Sequence, residues 1–370
     1  MINNTLEKTP PHGGDVYHLA RTLGLELSEL LDFSANINPL GFPAGIMGAI
    51  QESLPEIVHY PDRRCLELTR ELAAYHGLSP AQILVGNGST ELIYLAARAL
   101  KPQKALIAAP AFSEYEHALS AAGVPVEFQM TTETQNFTLE APLDPKGADL
   151  VFLAQPASPS GVLLAPELLL EVAARLNNAG VRLLLDEAFV DFVEEASFKM
   201  HLARFPRVLI LRSFTKFFAI PGMRLGYLLA APESISRLGA LQEPWSVNTL
   251  AQAMGRACLQ DLDYMARSRA LVQEEKDFLF QGLSSLSGLK PFPSVVNYLL
   301  VKLTRPDFTA AGLRQALLSQ KIVIRDASNF RGLDERFFRV AVRSRGDNER
   351  LLGALAEVLV RDQGPRASDQ

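Results

Sequence analysis

The sequence predicts an α/β protein whose large unit holds a mostly parallel, doubly wound sheet, followed by a smaller α+β unit. Three observations predict it. Short runs that are apolar on both faces recur through the middle of the chain. Longer stretches with helical spacing separate them. After about residue 245 this alternation gives way to a different order of helices and strands.

In chain order, ALIAAP (105–110), DLVFLAQP (149–156), VRLLLD (181–186), RVLILRS (207–213) and LGYLLAA (225–231) read as buried strands. Parallel strands covered by helices are apolar in this way. Between them TELIYLAARAL (90–100), SEYEHALSAAG (113–123) and PELLLEVAARLNNAG (166–180) read as helices, and the last two end at a glycine, a C-terminal stop signal. Alternation of this kind argues for a doubly wound sheet, which binds ligands at the carboxyl ends of its strands. Further on come a long helical region (248–286), the strand NYLLVKL (297–303) and a helix near 309–319. KIVIRD (321–326), FFRVAVRS (337–344) and a final helix from about 347 to 361 complete the pattern. The expected division is a large unit over 41–245, a small unit from 1–40 with 246–362, and a disordered tail at 363–370. The first ten or so residues are expected to stay mobile until a ligand orders them.

At 370 residues the chain is long enough for a large core. A net charge of −5 gives no reason to expect nucleic acid or an anionic membrane as partner. The start, MINNTLEKTPPHGG, lacks the basic and apolar regions of a signal peptide, and no apolar stretch is long enough to span a bilayer. Cys65 and Cys258 belong to no CxxC pair and the six histidines show no ligand spacing, so no metal is expected, and the natural compartment is a reducing cytoplasm.

Three stretches carry chemistry. In GNGSTELI (86–93) small residues precede a helix, and Ser89 or Thr90 can cap it. Such a start is either an ordinary capped loop or an anion site, because backbone N–H groups and the helix dipole converge there. In LLLDEAF, Asp186 ends a buried strand and either faces the ligand crevice or caps the next helix. In SFTKFFAIPGMRLGY (213–227), Lys216 sits among apolar residues. A buried ammonium is costly, so this lysine either reaches solvent or is meant to lose its charge. Taken together the three fit one ligand. A helix start takes a phosphate, with Ser213, Thr215 and Arg224 adding hydrogen bonds. An aspartate holds a protonated ring nitrogen and a lysine condenses with an aldehyde. That ligand is pyridoxal 5′-phosphate.

This combination resembles the fold type I pyridoxal-phosphate enzymes of the aspartate aminotransferase superfamily, over nearly the whole chain. The resemblance implies a large cofactor-binding unit with a mostly parallel sheet and a smaller α+β unit. It makes Lys216 the lysine that holds the cofactor covalently and Asp186 the partner of its ring nitrogen. It puts Gly88, Ser89, Thr90, Ser213, Thr215 and Arg224 around the phosphate, and Phe112 (in APAFSEY) on the ring. Tyr60 (in HYPD) would reach the phosphate of a neighbouring subunit, in a homodimer with shared active sites. One departure stands out. Where the superfamily usually carries NPNNPTG, this chain has QPASPSG, so Ser158 replaces the asparagine that bonds the cofactor's phenolic oxygen.

The two ends of the chain narrow the substrate. HGGDVYHLARTLGL leads into LDFSANINPLGFP, and Arg325, Arg339 and Arg343 follow in the C-terminal third. Arginines fork onto carboxylates and phosphates. They either converge on an anionic substrate or pair on the surface with Asp326, Asp334 and Glu335. These stretches resemble the members of the superfamily that handle phosphorylated amino acids, the decarboxylating ones more than the aminotransferring ones. His12, Ser34, Asn36, Arg325 and Arg339 are then expected to hold a small phosphorylated amino acid by its carboxylate and phosphate. A ligand sensor without catalysis would fit only the Ser158 replacement.

Overall fold

The computed structural model describes residues 12–361. Its strands, in chain order, begin with β1 (Leu31–Asp32), β2 (Ile83–Gly86), β3 (Ala105–Ala109), β4 (Val126–Met130), β5 (Leu150–Ala154) and β6 (Arg182–Asp186). Then come β7 (Val208–Ser213), β8 (Gly226–Ala230), β9 (Leu289–Pro291), β10 (Tyr298–Leu303), β11 (Ile322–Val323), β12 (Arg325–Asp326) and β13 (Phe337–Ala341). A seven-stranded sheet runs in the order β2-β8-β7-β6-β5-β3-β4. Strand β8 is antiparallel to β2 and β7, and the other neighbouring pairs are parallel. The expectation that LGYLLAA runs parallel is therefore corrected. Gly226–Ala230 is buried throughout, so its composition reports burial on both faces and not direction.

Alternation along the strands divides their side chains between two faces. Leu184, Leu209, Leu211 and Leu228 pack with apolar residues of helices Gly88–Leu100 and Ser113–Ala121. Leu183, Leu185, Ile210 and Leu229 pack on the other side with helices Leu66–His76 and Pro166–Asn178. By the same alternation Asp186, Ser213 and Gly226 lie on the first face at one edge of the sheet, and Arg212 and Tyr227 on the second.

Arg212 is fully buried and ion-pairs with Asp191 at 2.9 Å, Glu194 at 2.5 Å and Glu187 at 3.4 Å. The cluster fastens the segment after β6 beneath the strand ends. Without the guanidinium three carboxylates would be left without their shared cation. Arg212→Ala is expected to lower stability by about 3–5 kcal/mol. A denaturation midpoint that hardly moves would mean that these carboxylates are neutral or hydrated.

The second sheet is antiparallel, in the order β12-β13-β10-β9. KIVIRD, expected as one strand, is two. Strand β11 pairs with β1, and beyond Ile324 the chain joins β13 as β12. The single helical region 248–286 is also two helices, Thr249–Gln260 and Leu262–Ser285. Asp261 separates them by accepting the Tyr264 N–H at 2.9 Å, an N-cap that starts the second. Strand β1, only two residues long, and strands β2, β4 and β9 fall outside every run read as strand. β2 and β9 are short and β4 is a half-buried edge strand, so none shows a clear apolar run. Phe137, Phe292, Phe330 and Phe337 form one apolar cluster that ties the second sheet to the segment after β4. The expected mobile start and the tail at 363–370 lie outside the described residues.

Candidate active site

The cradle for an anion is built by close approach. Helix Gly88–Leu100 starts at Gly88 with φ +80°, and a Cβ there would come within 2.8 Å of an Arg224 guanidinium nitrogen. A Cβ on Gly226 would come within 2.6 Å of the Ser89 nitrogen. Gly226 in turn pairs with Ser213 across β7 and β8. The Ser213 and Thr215 hydroxyls are 2.8 Å apart. The sequence thus brings Gly88, Ser89, Ser213, Thr215 and Arg224 together, with Thr90 next along the helix. Neither Ser89 nor Thr90 caps that helix. Asn87 is the N-cap residue, and its N–H is taken by the Glu91 carboxylate. The hydroxyl of Ser89 is left for other partners.

Lys216 lies in a single turn, Phe214–Phe217, just past β7, and its Nζ donates to Thr215 Oγ1 at 2.9 Å. Burial, with the Arg224 and Arg339 charges, pulls its pKa down to about 8. Asp186 ends β6, where burial pushes its carboxyl upward against the Tyr115 hydroxyl, the Ala188 N–H and the Lys216 charge. Tyr115 donates to Asp186 Oδ2 at 2.5 Å and the Ala188 N–H to Oδ1 at 2.9 Å. Phe112 is half-buried and meets the Tyr115 ring edge-on, 5.8 Å between centroids.

The depressed lysine has a measurable consequence for the cofactor-free protein. Below pH 8 both folded and unfolded chains carry the proton, and the cost of enclosing it is fully present. Between about 8 and the ordinary 10.5 the unfolded chain holds more proton, so stability rises with pH. Wild type should therefore gain stability relative to Lys216→Met across that window in denaturation midpoints. A constant difference would show a solvated ammonium.

Arg325 and Arg339 sit directly opposite each other in the β12–β13 ladder. Among the described residues neither makes an ion pair. Arg325 is buried and donates to the Asp326 carbonyl at 2.6 Å and Asn329 Oδ1 at 2.7 Å, both neutral. Burial, then the Arg339 charge, lowers its pKa to about 10. Arg339 lies over the Tyr298 ring, and its buried Nε has no partner. Arg343 differs. It pairs with Asp347 at 3.1 Å and donates to the Asp32 carbonyl, so it does form an ion pair, though with none of the expected partners Asp326, Asp334 and Glu335.

From the N-terminal side, His12 Nε2 meets Glu114 Oε1 at 2.9 Å and its ring is 5.7 Å from Phe112. The Ser34 hydroxyl donates to Asp32 at 2.6 Å and accepts the Gly14 N–H at 2.8 Å, so it holds the HGG segment in place. Asn36 is buried, with an amide oxygen that has no partner. Asn38 fixes this segment to the lysine turn: its N–H donates to the Lys216 carbonyl at 3.1 Å and its amide to the Phe217 carbonyl at 2.7 Å. Tyr60 is not brought to Lys216 within one chain. It is 80% exposed and stacks on Trp245. Ser158 is half-buried and its hydroxyl meets Tyr298.

Tyr115, Tyr298 and Asn38 escaped the sequence reading. Tyr115 lies in the first turn of the helix that Phe112 precedes, close to the predicted ring-stacking residue in sequence. Tyr298 and Asn38 read as ordinary strand and loop residues.

A half-buried lysine of depressed proton affinity beside a buried acid and a basic phosphate cradle defines a pyridoxal-phosphate enzyme. Residues 28–355 match the family described as aminotransferase class I and II, and the chain belongs to it. Threonine-phosphate decarboxylase of Salmonella typhimurium is 41% identical over 353 residues, 94% of this chain and 96% of that protein. The crystal structure of L-threonine-O-3-phosphate decarboxylase from Porphyromonas gingivalis superposes with a TM-score of 0.81 at 28% identity, covering 90% of this chain and 100% of that one. Histidinol-phosphate aminotransferase from Clostridium acetobutylicum gives 0.83 at 31%, with the same coverage.

Pyridoxal 5′-phosphate is the cofactor. The residues present fit it. Gly88 leaves room at the helix start where Arg224 converges, and the buried Asp186 carboxylate keeps lone pairs beyond its two hydrogen bonds.

Proposed function

We propose that this enzyme decarboxylates L-threonine O-3-phosphate to (R)-1-amino-2-propanol O-2-phosphate and carbon dioxide, a step of cobalamin biosynthesis. The observation that carries the proposal is the Arg325–Arg339 pair. Two opposed guanidiniums with no carboxylate between them call for a ligand that brings anions. L-Threonine O-3-phosphate brings a carboxylate and a phosphate.

The cofactor supplies an electron sink for the charge left at Cα. The chain's own residues do the rest. Arg325 and Arg339 would hold the carboxylate and phosphate, with His12 approaching from the Phe112 side. Asn36 offers its free amide oxygen to a substrate N–H or O–H. Ser34 acts by keeping the His12–Gly14 segment seated. Such a grip would orient the substrate so that the Cα–carboxylate bond is the one to break. Gly88, Ser89, Thr90, Ser213, Thr215 and Arg224 would hold the cofactor's phosphate, and Asp186 would favour a proton at its ring nitrogen. Lys216, near neutrality in proton affinity, is suited to return a proton to Cα as general acid.

Ser158 would face the cofactor's phenolic oxygen in place of the usual asparagine, next to Ala157, whose carbonyl accepts the Tyr298 hydroxyl. Residues 41–245 act as the cofactor unit, and 1–40 with 246–362 as the substrate unit. Exposed Leu54, Ile57, Val58, Tyr60 and Trp245 support a homodimer in which Tyr60 serves the partner's cradle. No helix among the described residues is long and apolar enough to cross a membrane. Two buried, unpaired cysteines suit the cytoplasm.

A second reading, histidinol-phosphate aminotransferase, is favoured by the 31% identity of the Clostridium structure. Histidinol phosphate has no carboxylate, however, and would leave one guanidinium unpaired. The test is L-threonine O-3-phosphate supplied without any 2-oxo acid. Equal amounts of carbon dioxide and aminopropanol phosphate are expected. No gas, with amino transfer from histidinol phosphate to 2-oxoglutarate, would favour the second reading.

A further inference from the structure

We infer that Tyr115 is a positioning residue that keeps Asp186 an ionised carboxylate, so that the proton between this carboxylate and the cofactor sits on the ring nitrogen. The inference rests on the reading of Asp186 as the ring-nitrogen partner and extends it by one residue.

The geometry leaves Tyr115 little else to do with its hydroxyl. The side chain is almost wholly buried, stacked on Phe152 at 5.1 Å and edge-on to Phe112 at 5.8 Å. Its hydroxyl donates to Asp186 Oδ2 at 2.5 Å, and the Ala188 N–H donates to Oδ1 at 2.9 Å. An ionised carboxylate is acceptor only and satisfies both donors. A carboxylic acid has to place a proton of its own on one oxygen, in competition with one of these donors. Both bonds therefore favour the charged form, against a burial that favours the neutral one.

The phenol does not give its proton away. Burial and the adjacent carboxylate hold its pKa well above the ordinary value. It is a fixed dipole aimed at one carboxylate oxygen. The same side chain braces Phe112, the residue expected to lie on the ring. Tyr115 thus supports both the face and the nitrogen end of the cofactor without touching the reacting atoms. Without the hydroxyl, Asp186 would keep only the Ala188 N–H and the Lys216 charge to oppose burial. Its proton affinity would rise, and the shared proton would move from ring nitrogen towards carboxylate. The ring would then accept the charge left at Cα less well.

The test uses holoenzyme loaded with pyridoxal phosphate labelled with ¹⁵N in the ring, observed by NMR. In wild type the ring nitrogen should resonate as protonated. In Tyr115→Phe the resonance should move towards the neutral position, and kcat should fall roughly 10-fold with KM little changed. Phe152→Leu disturbs the stacking but keeps the hydroxyl, and should leave the resonance where it is. Asp186→Asn should move it fully.

A wild-type resonance in Tyr115→Phe, when Asp186→Asn has moved it, overturns the inference alone. A wild-type resonance in Asp186→Asn removes the reading of Asp186 and the inference with it. An equal shift in Phe152→Leu would assign the effect to packing and also overturns it. Independently of any variant, the Tyr115 hydroxyl proton of wild-type holoenzyme should be a slowly exchanging, low-field signal. A rapidly exchanging one contradicts the bond.

Discussion

Lys216→Ala is expected to reduce turnover by at least about 10³-fold, because it removes both the covalent anchor of the cofactor and the proton donor to Cα. An amine held out of water beside Thr215, on a turn whose neighbours Phe214, Phe217 and Phe218 are core residues, with the Arg224 and Arg339 charges opposing its own, is held partly uncharged near pH 8. Natural sequences keep such a destabilised group where reactivity needs it. Two outcomes separate its roles. Loss of the cofactor's bound spectrum in Lys216→Ala shows the anchor. If added small amines restore turnover in a way that follows their basicity, they show the proton transfer. Turnover near wild type in the variant would remove Lys216 from the chemistry.

The second large effect concerns the two arginines. Arg339→Met is expected to cost about 3–4 kcal/mol of substrate binding in the transition state, roughly 10²- to 10³-fold in kcat/KM. The same change should make the ligand-free protein more stable, by about 1 kcal/mol. Arg339 carries a buried Nε with no partner and faces Arg325 without an intervening anion. Removing it relieves both penalties, and Met fills the space over Tyr298. A purely structural arginine would do the reverse, losing stability and activity together. Steady-state kinetics and a thermal melt of the same preparation decide between the two. Arg343→Met, which breaks an ordinary pair with Asp347, should leave kcat/KM within a few-fold.

Much of this site was legible because its chemistry sits at the ends of apolar runs. VRLLLD stops at Asp186 and RVLILRS at Ser213, and the sheet carries both to one edge. The five runs are strands because burial on both faces leaves no other residues suitable. The direction of β8 was not legible, since antiparallel and parallel strands are equally apolar when helices cover both faces. The break at Ile324 was hidden for a related reason. KIVIRD reads as one extended stretch, and only its partners, β1 and β13, split it.

Long-range register explains the remaining gaps. Arg325 and Arg339 were recognisable as candidate anion binders. That they oppose each other depends on pairing between strands 14 residues apart in sequence (339 − 325). Ser34 reads like a ligand and is a brace, because Asp32 and Gly14 occupy its hydroxyl. Tyr115 reads like core and reaches Asp186, because a tyrosine buried by its ring still needs a partner for its hydroxyl. A sequence shows which residues can do chemistry. Packing decides which of them are already engaged.

In the proposed reaction the bond broken at Cα is the one to the carboxylate. Running it on L-threonine O-3-phosphate in deuterium oxide, with mass spectrometry of both product and recovered substrate, shows which bond breaks. The expected result is carbon dioxide in step with aminopropanol phosphate that carries one solvent deuterium at the former Cα. Recovered substrate that has exchanged its Cα hydrogen for deuterium, with no carbon dioxide released, would contradict the claim, because the bond chosen would then be the one an aminotransferase breaks.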